Sequence, residues 1–382
     1  MKKMLLSIFL LVLCGFAQHS KVAIYPCDII NVQSLNPFFT KLGAIVRDST
    51  TVSVVHIGDS HIQADVFSGT VRKKLQNTFG NAGRGFVFPY KIAKSYGALD
   101  VQFSHTGTWQ YCHIKRGYSE CNLGVAGFTV TPLGNAAFSI DVASKAQTDA
   151  AFNKVTLLDN DGSFLPLETI GDFSTSKENR HTVICFDELQ DSLTFTPAYE
   201  KDTLPELQGM VLENSRPGVL YHAMGINGST VSQYLRSKHF EEQINDLNAS
   251  LVIISFGTND SYTSSSKFCV KCFKEEYRTL IKRVRSKNPH ASILLTIPPD
   301  HYLNRKYPSN NVAPVRDTLI GLAIEEDVAV WDLYEAMGGK NAILDWKNDE
   351  LARADLIHFT LEGYELQGEM LYNALMRGYK GQ

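Results

Sequence analysis

The stretch that decides the fold is Val52-Ser53-Val54-Val55-His56-Ile57-Gly58-Asp59-Ser60-His61-Ile62-Gln63. Its first half is a β-branched run without regular polar alternation, the pattern of a strand buried on both faces. Gly58-Asp59-Ser60-His61 is turn chemistry, and behind it apolar residues recur at helical spacing from about Ile62 to Phe79. A buried strand, a tight turn and an amphipathic helix open a doubly wound parallel α/β sheet. Ligands of such sheets sit outside the carboxyl ends of the strands, which is where Ser60 falls.

Outward from this unit the alternation resumes only after a long interval. It returns with the run Val219 to Met224, a helical pattern near His239 to Leu247, the run Leu251 to Phe256, and a helix across about Lys274 to Ser286. Ala291 to Ile297, closed by Pro298-Pro299, is followed by a helical pattern near Val312 to Glu326, by Val328 to Leu333, and by a last helix near Leu361 to Met376. Between about Leu99 and Glu213 the texture is different: short alternating runs rich in Thr, Ser, Phe and Gly, with almost no helical period. That interval reads as an inserted all-β domain large enough for its own sandwich. The expected organisation is residues 18–98 and 214–382 as the two parts of one α/β domain, with 99–213 inserted between them.

The 382 residues are 44% hydrophobic and 20% charged, with a net charge of −3. This is the composition of a folded globular chain, and without a long run of like charge it gives no support for nucleic-acid binding. Met1-Lys2-Lys3-Met4 followed by the apolar run Leu5 to Phe16 has the shape of a secretory signal, and Gly15-Phe16-Ala17 places small residues where a peptidase reads them. Cleavage after Ala17 is expected, with delivery to the periplasm or cell envelope. A lipoprotein reading through Cys14 competes, but Leu13 is bulky where a small residue is wanted. No later stretch is apolar and long enough to cross a bilayer. Six cysteines remain beyond Cys14. Cys112 and Cys121 flank a possible hairpin and are the favoured disulfide, whereas Cys269-x-x-Cys272 lacks the second ligand pair that a zinc site needs.

Four groups at strand ends carry possible chemistry. A serine hydroxyl is a weak nucleophile until a histidine takes its proton and a carboxylate orients that histidine. Ser60 is the candidate nucleophile, and Asp355 and His358, three apart ahead of the last helix, offer the other two groups. Gly225-Ile226-Asn227-Gly228-Ser229 and Gly257-Thr258-Asn259-Asp260 follow two further strands. Glycine permits close backbone approach and asparagine supplies a side-chain N–H donor, the equipment of an oxyanion hole. Taken singly, each group also reads as a cap, a turn or a solvated pair. Asp59 and Asp260 read as braces accepting backbone hydrogen bonds, His56 and His222 as core residues, His301 as a weak rival base, and His61 and Arg84 as possible site-lining residues.

Together, in this chain order, Ser60, Gly228, Asn259 and His358 resemble the four signature blocks of the SGNH, or GDSL-type, hydrolases. The stretch Gly58 to Asp65, continuing through Phe67, Gly69, Arg72, Leu75 and Phe79-Gly80 to Gly83-Arg84-Gly85-Phe86, is similar to the secreted peptidoglycan O-acetylesterases. In those a jelly-roll module similar to carbohydrate-binding modules is inserted between the serine and glycine blocks. One departure is Leu356-Ile357 inside the DxxH motif, where smaller or turn-forming residues are expected. The resemblance implies a cofactor-free and metal-free serine esterase acting on an O-acetylated glycan, most simply peptidoglycan. Ser60, His358 and Asp355 form its triad; the Ser60 and Gly228 amides and the Asn259 side chain form its oxyanion hole. An O-acetyltransferase using the same site, and a glycan-binding protein on a hydrolase scaffold, are the alternatives.

Overall fold

The computed structural model describes residues 22–116, 121–142, 150–159, 164–167, 169–178, 181–199 and 204–381. The signal segment expected at 1–17 lies outside them. Five strands make a parallel sheet: β1 (Thr51–Gly58), β2 (Gly218–Gly225), β3 (Ala249–Ser255), β4 (Ser292–Ile297) and β5 (Ala329–Asp332), in the order β2-β1-β3-β4-β5. Side chains alternate between two cores because successive residues of a strand point to opposite faces. Val52, Val54, Val219, Tyr221, Leu251 and Ile253 meet Leu42, Val71 and Leu371, from helices Asn36–Asp48, Phe67–Phe79 and Leu361–Lys380. Val55, Ile57, Val252, Ile254 and Leu295 face the other way, toward Ile244, Ile281 and Leu319 of helices Phe240–Asp246, Val270–Lys287 and Val312–Glu325. This is the doubly wound sheet expected from the apolar runs.

Two local features differ from the sequence reading. Helix Asn36–Asp48 has no counterpart there, although Phe38, Phe39, Leu42 and Ile45 are its buried stripe and Pro37 sits at its start. The helical pattern from Ile62 to Phe79 is broken into Ser60–Gln63 and Phe67–Phe79, because Asp65 adopts φ +53°. Its carboxylate is taken up by Arg72 at 2.6 Å and Arg84 at 2.5 Å. Both arginines also reach Asp100, Arg72 at 3.2 Å and Arg84 at 2.6 Å. This ring of two acids and two bases fixes Asp65 in a left-handed backbone that costs about 1–2 kcal/mol.

Among the described residues, the interval between β1 and β2 forms a nine-stranded antiparallel sheet. In its longest pair, Gln102–His113 with Phe128–Asp141, the second strand alternates buried and half-buried residues from Ala136 to Asp141, the pattern of a strand with one buried face, whereas the first is largely exposed. Phe138 stacks on Phe195 at 5.1 Å, with Trp109 and Phe164 packed around them. The sheet also takes in Gly85–Val87, which pairs antiparallel with Met210–Leu212. Its core is continuous with that of the parallel sheet: Phe128 and Met210 belong to one apolar cluster with Phe86, Phe88, Met224 and Val252. Cys112 is bonded to Cys121 as expected, Cys269 to Cys272, and Cys27 and Cys185 are free thiols. Among the described residues no helix is long and apolar enough to cross a membrane.

Candidate active site

Four chain segments converge where β1, β2 and β3 end. Asp59 caps the short helix after β1, its Oδ1 accepting from the His61 amide at 3.0 Å, and this sets Ser60 at the first helical position. The turn is tight: a Cβ on Gly225 at the end of β2 would lie 2.1 Å from the Gln63 nitrogen, so only glycine admits the serine helix there. Gln63 locks the two blocks together. Its Oε1 accepts from the Asn227 amide at 2.5 Å, and its Nε2 donates to Ser95 Oγ at 2.7 Å and to the Tyr96 carbonyl.

The Asp355 loop enters from the other side. Asp355 Oδ1 accepts from the amides of Ile357 at 3.0 Å and His358 at 2.9 Å, and its Oδ2 meets His358 Nδ1 at 2.9 Å. Burial alone would raise the Asp355 pKa, but the His358 amide and ring hydrogen bonds hold it below its ordinary value, which keeps it an acceptor. His358 Nε2 then stands 3.0 Å from Ser60 Oγ. Serine, histidine and aspartate thus form one unbroken hydrogen-bonded relay. Leu356, the departure noted in the sequence, adopts φ +56° with its side chain buried and its carbonyl accepting from Tyr302 at 2.9 Å. The position therefore needs the left-handed conformation of a turn former, and burial of the leucine holds it there.

Gly228, at φ +68°, and Asn259 lie at the same edge. Asn259 Nδ2 donates to Asp59 Oδ2 and to the Ser229 carbonyl, both at 3.1 Å. For that amide to serve an oxyanion, one of these two bonds must be exchanged. Asp59 is buried, which pushes its pKa up to about 6, and Asp260 is raised to about 7 for the same reason, with its Oδ1 accepting from the Val231 amide at 3.1 Å. Both acids brace turns, as read from the sequence.

The other histidines singled out in the sequence divide cleanly. His56 bonds Tyr221 and Ser255 at 2.7 Å each, His222 bonds Ser53 at 3.2 Å, and burial lowers both pKa values to about 3. His301 is buried, lowered to about 4, and tied to Ser261 Oγ at 3.2 Å and the Pro299 carbonyl at 3.1 Å. It does not reach the serine. His61 lies beside the site, its ring centre 5.5 Å from that of His358 and its Nδ1 3.0 Å from the Tyr364 hydroxyl. Arg84 does line the site while held by Asp65 and Asp100.

Ser60 and His358 open into a cavity of about 910 Å³, roofed by the segment from Tyr90 to Phe103 and walled by Phe88, Lys115 and Tyr262. The sequence reading missed Gln63 as a clamp and Lys115, Tyr262 and Arg353 as lining. The first lies inside the serine block and was open to notice; the others belong to no motif. Among the described residues no three of His, Cys, Asp and Glu gather as a metal site would need.

A serine, a histidine and a carboxylate joined by hydrogen bonds at the carboxyl edge of such a sheet have the geometry that acyl transfer needs. Residues 191–366, which include the glycine, asparagine and DxxH blocks, match the GDSL-like lipase/acylhydrolase family. The chain thus carries a GDSL-type acylhydrolase domain and is a carboxylic-ester hydrolase. Among solved structures, a peptidoglycan O-acetylesterase is similar over 93% of this chain and 99% of its own, with a TM-score of 0.75 at 22% identity. That likeness shows a common fold across both sheets. A lipase/acylhydrolase from Enterococcus faecalis covers 41% of this chain and 75% of its own, at 25% identity and a TM-score of 0.33. An acetyl xylan esterase, AlAXEase, covers 41% and 81%, at 19% identity and a TM-score of 0.34. No curated protein matches the sequence.

Proposed function

We propose that this hydrolase removes O-acetyl groups from a glycan of the cell envelope, with peptidoglycan as substrate. Ser60 Oγ attacks the acetyl carbonyl while His358 Nε2 takes its proton, and Asp355 holds the imidazole in the tautomer that can accept it. The oxyanion is received by the Ser60 and Gly228 amides and by Asn259 after it exchanges one of its internal bonds. His358 then returns its proton to the departing sugar oxygen and activates the water that releases acetate. The observation that carries this reading is the relay of 3.0 Å and 2.9 Å from Ser60 through His358 to Asp355 at the floor of a glycan-sized cavity. The similarity to a peptidoglycan O-acetylesterase supports the substrate, and the basic, apolar leader at 1–17 supports export to the periplasm. Residues 99–213 are taken as the inserted β domain, which carries part of the cavity wall.

The test is acetate release from O-acetylated peptidoglycan, and from an acetylated plant polysaccharide, by the wild type and Ser60→Ala. Release from peptidoglycan that falls by about 10⁴-fold or more in the variant is expected. Equal release by the two proteins, or none by either, would overturn the proposal. Following a labelled acetyl group into acetate or into a second glycan separates hydrolysis from transfer.

A further inference from the structure

The glycine block is a β-turn, and its middle peptide is the part of the site that the turn itself does not hold. β2 ends at Gly225, and Ile226 to Ser229 form the turn, the Ser229 amide donating to the Ile226 carbonyl at 3.1 Å. Gly228, third in the turn, has φ +68° while Asn227 keeps a negative φ, which makes the turn type II. Both ends are fixed. Ile226 and Ser229 are buried, the Ile226 amide donates to the Gly58 carbonyl at 3.0 Å, and the Ser229 carbonyl accepts from Asn259 Nδ2 at 3.1 Å. The peptide between Asn227 and Gly228 takes no part in the turn's own bond. Types I and II differ by a rotation of that peptide of about 180°, so its direction is open to control from outside the turn.

Lys115 exerts that control. It comes from the short turn Ile114–Arg116 of the β interval, and its Nζ donates to the Asn227 carbonyl at 3.0 Å. The lysine is exposed, but its backbone is pinned: Ile114 is fully buried with its amide donating to the Gly127 carbonyl at 3.0 Å, and the Lys115 amide donates to His113 Nδ1 at 3.0 Å. On the other side of Asn227, the buried Gln63 accepts from its amide at 2.5 Å, which fixes the preceding peptide. A trans peptide is planar, with its C=O and N–H pointing in opposite directions, so whatever holds the Asn227 carbonyl also aims the Gly228 amide. Among the described residues that amide has no acceptor, although the carbonyl of the same peptide is taken. An ammonium on the carbonyl also polarises the peptide, which strengthens its N–H as a donor.

We infer that Lys115 is a positioning residue of the oxyanion hole, holding the Asn227–Gly228 peptide in the direction that offers the Gly228 N–H to the reacting carbonyl. This rests on the Gly228 amide being an oxyanion donor, as proposed above. Turned over, the same peptide would present the Asn227 carbonyl in place of the N–H, and two oxygens carrying negative charge would face one another. The difference grows as charge develops on the ester oxygen, so it belongs to kcat and not to KM.

The test uses p-nitrophenyl acetate, an ester that needs no glycan contact, with the wild type and Lys115→Met. In the variant kcat is expected to fall about tenfold, a part of the 10²–10³ that a lost oxyanion donor costs, with KM changed less than about twofold. Lys115→Arg, which keeps a donor at that position, is expected to retain most of kcat. A crystal structure of Lys115→Met is expected to show the Asn227–Gly228 peptide turned over, in part or throughout. An unchanged kcat overturns the inference, and so does an effect on KM alone, which would make the lysine a substrate-binding group. A loss of kcat with the peptide in its original direction overturns it as well, since the ammonium would then act on the ester itself. Absence of aryl ester turnover by the wild type would refute the esterase reading, and the direction of the peptide in Lys115→Met would still decide this one.

Discussion

The two sheets meet the same cavity with different parts of their residues. The parallel sheet contributes strand ends: glycines that allow close approach, a serine at the start of a helix, an asparagine and backbone amides. The antiparallel sheet and the roof segment before it contribute side chains, with Phe103 and Lys115 on the wall. Backbone geometry at the end of a buried strand is set by the whole sheet, so it can hold reacting atoms to a few tenths of an ångström. Side chains reaching in from a half-solvated sheet are under less constraint, and they suit recognition. One region supplies the serine–histidine–aspartate relay and the other part of the cavity wall, yet they share a core.

That division is open to test at three levels. The largest effect is expected at the strand-end machinery: Asp355→Asn should lower kcat by about 10⁴-fold with an unchanged fold, since the imidazole loses its orienting acceptor. His301→Ala, measured in the same assay, should retain most activity; the reverse ranking would move the base to the wrong loop. Next comes the shared core. Phe128 is fully buried between Phe88 and Tyr90, at ring distances of 5.4 Å and 5.3 Å. Phe128→Ala should cost about 3–5 kcal/mol and lower one common urea transition. Trp109 fluorescence, followed in a chain with Trp331 and Trp346 replaced by phenylalanine, reports the antiparallel sheet, and far-UV circular dichroism reports the helices. Two separated transitions would show that the sheets unfold independently.

The smallest effect concerns the polar residues buried in the parallel sheet. His222 has its pKa lowered to about 3 by burial, against an ordinary value of 6.5. The folded state refuses a proton that the unfolded chain accepts, so this residue's contribution to stability is complete above pH 6.5 and is lost as pH falls toward 3. Asp59, raised to about 6, works in the opposite sense, being costly once pH rises past the unfolded value. The measurement is therefore the difference between the wild type and His222→Gln. Its pH slope should approach about 1.4 kcal/mol per unit between roughly pH 6 and 4. A flat difference would mean that His222 is protonated in the folded protein.

Much of this molecule was legible from residue types alone. All five parallel strands stand out as apolar runs because burial on both faces removes the polar alternation. The relay residues stand out because acyl transfer needs a serine, a histidine and a carboxylate at strand ends. What escaped depends on partners distant in the chain. The break at Asp65 is held by Arg72, Arg84 and Asp100, and no local pattern announces it. Leu356 has no turn propensity and takes its conformation from the core that buries it. Lys115 is an unremarked lysine in a β-rich interval until the fold sets it over Gly228. Helix Asn36–Asp48 is a different case, since its apolar stripe and early proline were readable.

The pairing of Gly85–Val87 with Met210–Leu212 bears on how the chain assembles. β1 and β2 lie side by side with Thr51 opposite Gly218, and joining them across an unstructured interval would cost about 4–5 kcal/mol in loop closure. Gly85 opposite Leu212, with Asn81 bridged to Val219, holds the two ends of that interval together beside the parallel strands. The antiparallel sheet is in this sense a splint: in the folded chain it spans the separation of 167 residues between Thr51 and Gly218 with paired backbone, and the strand that leads to Ser60 is held in register by a neighbour whose position the inserted sheet helps to fix.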